Sequence, residues 1–383
     1  SGASFFFGIP DSSSGDTKVP VTYDDRSQKR IADLERHVRS RPEDGELFLQ
    51  LIRSYLDAGR HAQAIGRLES RMAEDETSYE LVELSCEAYR RGGEFEKALE
   101  VLEREGANWQ GEASYWTLRG RILEGFDELE DAERAHERAV QIDPDRAESH
   151  FRLGVVRMRM GENNDALDSF EEAVAIDPEM INAQINIGIL LDEMGSPHEA
   201  VAAFKAALNI DARSLETRLN LGASYGDLGM PKEAITEFRA ALGIDPMSVL
   251  GHFNLGVALL EESPEEAQVA LKRALTLEPG HWEANYHLAV LYFKRGMYDA
   301  AIRSFHQCLE SKPRSVRALY HLGLAYNKKD QPGRAIEFLS RVTELEPENS
   351  RAHFYLGVAH DKKGQYDKAR LCYQAADRLG ARG

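Results

Sequence analysis

The chain has 383 residues, with 65 acidic against 47 basic side chains and a formal charge of −18 at pH 7. That balance excludes roles that rest on clustered Lys and Arg, such as nucleic-acid binding or attachment to an anionic membrane surface, and it favours a basic peptide as partner. Cys86, Cys308 and Cys372 lie far apart with no Cys-x-x-Cys, which leaves no disulfide framework or zinc site, and no apolar run approaches the length of a membrane span.

Ser1-Gly2, without an initiator Met, reads as an expression scar or a cut end. Residues 1–26 are rich in Ser, Gly, Asp and Pro, the composition of a flexible tail. Within it Phe5, Phe6, Phe7 and Ile9 form an apolar cluster that needs cover. Two covers stand open: packing on the first helices, or an extended ligand in the groove of this chain or of a neighbour. A tail of 26 residues reaches roughly 85 Å at full extension. No basic stretch precedes a long apolar core, so nothing reads as a secretory signal and the expected address is cytoplasmic.

Residues 27–44 predict one helix, with Ile31, Leu34 and Val38 at helical spacing, acting as an N-terminal cap. From residue 45 the chain divides into ten blocks: 45–78, 79–112, 113–146, 147–180, 181–214, 215–248, 249–281, 282–315, 316–349 and 350–383. Place 20 is Ala in all ten, from Ala64 to Ala369. The central three blocks are the most regular. Gly154, Gly188 and Gly222 hold place 8; Gly161, Gly195 and Gly229 hold place 15; Phe170, Phe204 and Phe238 hold place 24. Pro178, Ala212 and Pro246 hold place 32. Earlier blocks are looser, with Ile52 and Cys86 at place 8, and the block from Val249 is one residue short in its turn.

Each block reads as two helices around a Gly turn. Small residues at places 8 and 20 allow close crossing, the place 24 side chain is a core knob one turn beyond the Ala, and Pro stops the second helix. One block cannot bury its own apolar face, so stability comes from stacking.

These offsets resemble the tetratricopeptide repeat (TPR) family. The resemblance implies an all-α, right-handed superhelical solenoid of antiparallel helix pairs, with the first helices lining a concave groove that binds other proteins. Place 6 then faces the groove and carries Arg152, Asn186, Asn220, Asn254, His287, His321 and Tyr355. Such an Asn ladder suits gripping a peptide main chain, since Asn both donates and accepts. Beside it, place 9 carries Val155, Ile189, Ala223, Val257, Val290, Leu324 and Val358, which reads either as an apolar floor for a ligand or as packing between helices. The family's clamp for a carboxylate terminus is absent.

Along the turn edge the charge changes sign. Asp192, Glu193, Asp227, Glu261 and Glu262 give way to Lys294, Arg295, Lys328, Lys329, Lys362 and Lys363, a basic edge that could meet an acidic partner or simply be solvated helix ends. Leu371, Ala375 and Leu379 are left on a face that a next repeat would cover, predicting a continuation or a contact with another chain. No phosphate loop, dinucleotide fingerprint or metalloprotease helix appears, and neither a metal nor a cofactor is expected. Two roles remain. One is a non-enzymatic scaffold or adaptor, for which an Arg- and Ala-rich bacterial motility, polarity or envelope-assembly complex is the expected home. The other is the recruiting arm of a larger, glycosyltransferase-like enzyme.

Overall fold

The computed structural model describes residues 25–74 and 78–380, which contain 21 α-helices and one short 3-10 segment, Ala107–Trp109. First helices begin at Gly45, Tyr79, Ala113, Ala147, Ile181, Leu215, Val249, Trp282, Val316 and Ser350. Several are started by the residue just before. Ser78, Ser214, Ser248, Ser315 and Asn349 each accept the backbone N–H three residues on, at 3.0–3.4 Å, satisfying a donor that the helix leaves open. His281 does the same through Nδ1, to Ala284.

The turn between the two helices uses one residue in left-handed backbone in every repeat except the shortened one from Val249. Gly161 takes it at φ 80°, and so do Asp127 (φ 63°) and Asp330 (φ 57°) at the same place in their repeats. Asp pays a steric cost there that Gly does not. Its carboxylate is nevertheless used: Arg159 donates to Asp127 at 2.7 Å and Lys362 to Asp330 at 3.0 Å.

The second helices Asn163–Ile176, Pro197–Ile210 and Pro231–Ile244 end at the same place although one lacks the expected Pro, having Ala212 there. Proline is therefore not the common stop. What these repeats share is Asp177, Asp211 and Asp245, whose side chains accept the N–H of Glu179, Arg213 and Met247 at 2.8–3.0 Å. The local bond offers the backbone an alternative to another helical turn.

The chain divides into two compact units between Ile210 and Asp211. In the first, the helix Asp25–Ser40 places Ile31 and Val38 in a cluster with Phe48, Leu51 and Ile52. Farther on, Phe170 packs with Val155, Ala173, Ile187 and Leu190. The second unit holds one continuous cluster from Phe253 to Ala359 that includes Phe305, Leu319 and Leu339. Its last helix, Tyr366–Arg378, leaves Leu371 60% and Tyr366 72% exposed.

The knob at place 24 presses on the glycine at place 8 of its own repeat. A Cβ on Gly154, Gly188 or Gly222 would lie 2.8, 2.6 or 2.5 Å from the ring of Phe170, Phe204 or Phe238. Ala at place 20 is equally confined, with Ala166, Ala200 and Ala234 wholly buried. Ala200→Leu is expected to overpack this crossing and cost about 1–3 kcal/mol, read as a lower urea midpoint; an unchanged midpoint would refute the packing scheme.

Candidate protein-interaction surface

Within the first unit, place 6 contributes Arg152, half-buried and donating to Glu148 at 2.9 Å, and Asn186, which is buried. Place 9 contributes Val155 and Ile189, also buried. Upstream the same place carries Glu87 and Arg121, which sequence reading passed over. Glu87 accepts from Arg90 at 2.9 and 3.0 Å, from Arg91 at 2.6 Å and from Arg121 at 3.0 Å. Burial alone would raise its pKa; the hydrogen bond from Arg90 and the charges of Arg121 and Arg90 outweigh it and hold the carboxyl at about 2. Two repeats were available as a signal, because Glu87 and Arg121 stand 34 residues apart.

His136 replaces the place 24 ring in the next repeat. It is wholly buried against Gly120, and its Nε2 lies 2.8 Å from Glu124, whose own pKa falls because the bond and charge of His136 outweigh burial.

In the second unit, Asn220 and Asn254 have no exposed surface, while His287, His321 and Tyr355 are half-buried. Ala223 and Val257 are buried, and Val290, Leu324 and Val358 are half-buried. Of the seven helices from Ala147 to Ser350 that carry these two rows, only Trp282–Lys294, Val316–Lys328 and Ser350–Lys362 keep open surface at both places. Burial lowers His321 to about 4; burial, with Arg317 and His281 adding to it, does the same for His287. Both imidazoles are therefore neutral at pH 7 and belong to the aromatic floor.

That floor is wider than the two rows suggest. Place 5 supplies Tyr286, Tyr320 and Phe354. Tyr286 meets His321 edge-on at 5.9 Å between ring centroids, Tyr320 meets Tyr355 at 6.1 Å, and His321 stacks on Phe305 at 5.8 Å. Reading place 5 down the blocks would have found these rings, since aromatics recur there.

The basic edge is mostly paired inside the unit. Lys294 pairs with Glu261 at 2.9 Å, Arg295 with Glu265 at 3.2 Å, Lys329 with Asp299, and Lys362 with Asp330 at 3.0 Å. Stacking brings each cation against an acid of the preceding repeat, a separation of 30–33 residues. Lys328 and Lys363 form no ion pair among the described residues. Such exposed pairs add about 1 kcal/mol or less each, so they remove charge from the edge more than they stabilise it. Phe5, Phe6, Phe7 and Ile9 lie outside the described residues.

Stacked helix pairs with a consistent surface on the first helices define a repeat scaffold rather than a fold around one closed site. Sequence patterns described as tetratricopeptide repeat match residues 86–147, 147–180, 181–214, 215–246, 258–322 and 330–383. The chain belongs to the tetratricopeptide repeat family, and its general role is that of a protein-interaction scaffold. No curated protein matches it in sequence. A solved tetratricopeptide repeat protein from Parabacteroides merdae is 17% identical, covering 64% of this chain and 98% of its own with a TM-score of 0.50, and shows the same fold. The chain is also similar to MamA protein (29% identity, 45% of this chain, 96% of that one, TM-score 0.41). YrrB, described as a TPR protein with an unusual peptide-binding site, is 27% identical over 51% of this chain and 99% of its own, with a TM-score of 0.43. Among the described residues no helix is long and apolar enough to cross a membrane, and no group of three His, Cys, Asp or Glu gathers as metal ligands.

Proposed function

We propose that the chain is a non-enzymatic adaptor that captures an extended segment or a helix of a partner protein on the faces of its first helices. What supports this most is one observation: His287, His321 and Tyr355 run beside Val290, Leu324 and Val358 on three successive helices, and all six keep exposed surface. A polar row beside an apolar one can fix a peptide backbone and still take up its apolar side chains. The cytoplasm is the proposed compartment, and a bacterial assembly complex the proposed setting.

The test is selection of binders from a random twelve-residue peptide display library, followed by photo-crosslinking. Crosslinks are expected at Val290, Leu324, Tyr355 and their neighbours on the first helices, and Leu324→Glu should weaken the selected peptides at least tenfold. Crosslinks confined to second helices, such as Tyr298–Ser311, would overturn the reading.

A further inference from the structure

The last two first helices, Val316–Lys328 and Ser350–Lys362, carry cations that differ from those of the turn edge. Arg317 and Arg351 occupy place 2, are exposed, and form no hydrogen bond or ion pair among the described residues. Each lies beside a ring of the floor. Burial raises the Tyr286 hydroxyl pKa, with Arg317 opposing it; burial and then Tyr355 push Tyr320 up to about 12, with Arg351 opposing. At the same place the earlier repeats carry Glu46, Glu80, Glu148, Glu216 and Glu283, and neutral Ser114, Asn182 and Leu250 in the other three. The sign of place 2 therefore reverses one repeat after the aromatic floor opens, on the helices Val316–Lys328 and Ser350–Lys362.

We infer that this strip takes an acidic, aromatic-bearing segment of a partner protein, its carboxylates on Arg317 and Arg351 and its ring or large aliphatic side chain between Tyr286, Tyr320 and Tyr355. The inference rests on the adaptor reading above and names the partner's chemistry. Guanidinium groups without a partner are matched by carboxylates, which can accept two parallel N–H bonds. Half-buried Tyr rings present an apolar body and a hydroxyl, and they stack edge-on or offset with another ring. The chain's net charge of −18 does not forbid such a ligand, because charges more than about 8 Å away are largely screened at physiological ionic strength. It does oppose a long polyanion, whose phosphates would extend past the two arginines over acidic repeats. This is why a protein segment fits better than a single-stranded nucleic acid, although bases also stack on aromatic floors.

Fluorescence anisotropy on the full chain tests it with four labelled probes. These are a ten-residue peptide alternating Glu or Asp with Phe or Tyr, the same peptide with Lys for each acid, the same with Gln for each acid, and a ten-nucleotide oligouridine. The acidic peptide is expected to bind at least tenfold more tightly than the Lys and Gln versions and to weaken as salt rises from 50 to 300 mM. Arg317→Glu with Arg351→Glu should remove at least tenfold of that affinity. Arg303→Glu, the same charge change at an exposed residue of the helix Tyr298–Ser311, should change it less than twofold. Circular dichroism of each variant checks that helix content is kept. Equal binding of the three peptides, or equal effects of the Arg303 and the Arg317 with Arg351 changes, would overturn the inference while leaving the adaptor reading intact. Failure of every peptide to bind would count against both. Tighter binding of oligouridine, lost in the paired variant, would overturn the assignment of the partner class.

Discussion

Phe170→Ala is expected to lower the unfolding free energy by about 3–5 kcal/mol, the range for removing a wholly buried ring. Phe170 has no exposed surface and touches Phe151, whose ring lies 5.7 Å away, along with the cluster around Ile187 and Leu190. The more telling result is the interaction with Gly154. In the intact protein a Cβ on Gly154 would be 2.8 Å from the Phe170 ring, so Gly154→Ala should destabilise by about 1–2 kcal/mol, overpacking outweighing the gain in helix propensity. With Phe170 already replaced, the same Cβ enters the vacated space and the propensity gain of about 1 kcal/mol should appear as stabilisation. Urea unfolding of the four proteins of this cycle measures it. A Gly154→Ala effect of the same sign in both backgrounds would show that place 8 is not kept small by place 24.

The second large effect is predicted at Glu87. Its side chain is 11% exposed and meets Arg90, Arg91 and Arg121, the last 23% exposed. Glu87→Leu should cost about 3–5 kcal/mol, because it leaves neighbouring guanidinium groups facing one another with no anion between them. Adding Arg121→Met should recover only part of the loss, since it removes one of the three cations and leaves Arg90 and Arg91 without Glu87. Acid should act on the same site. The folded carboxyl titrates at about 2 against an ordinary value of 4.5, so between those limits the unfolded chain binds the extra proton. The contribution, of order 3 kcal/mol, is fully present above pH 4.5 and is lost as pH falls towards 2. Glu87→Gln should flatten that part of the stability profile; a profile with the same acid slope as the parent protein would place the acid sensitivity elsewhere.

How much of this could be read without coordinates depended on the range of the interaction. Helix starts such as Ser214 and Ser248, the left-handed turn at Gly161 and the small residue at Ala200 all act within a few residues of their own position, so a repeating pattern exposes them. The stop at Asp177, Asp211 and Asp245 is equally local, but two of the three stand next to a Pro, which ends a helix on its own and masks the signal. The interaction surface was legible only in part. Reading places 6 and 9 down the array found His321, Tyr355 and Leu324 but passed over Tyr286, Tyr320, Arg317 and Arg351, which occupy places 5 and 2.

By itself the sequence determined the helix pairs, their period and the contact of the place 24 knob with its own repeat, because caps, turns and steric fit are encoded over short distances and recur every 34 residues. Only the tertiary structure decided which surface groups remain available. Lys294 and Lys329 look as free in the chain as Arg317, yet stacking sets them against Glu261 and Asp299 of the preceding repeat. A charge is spent or kept according to what the next repeat places within about 4 Å of it, and that distance exists only once the repeats are packed.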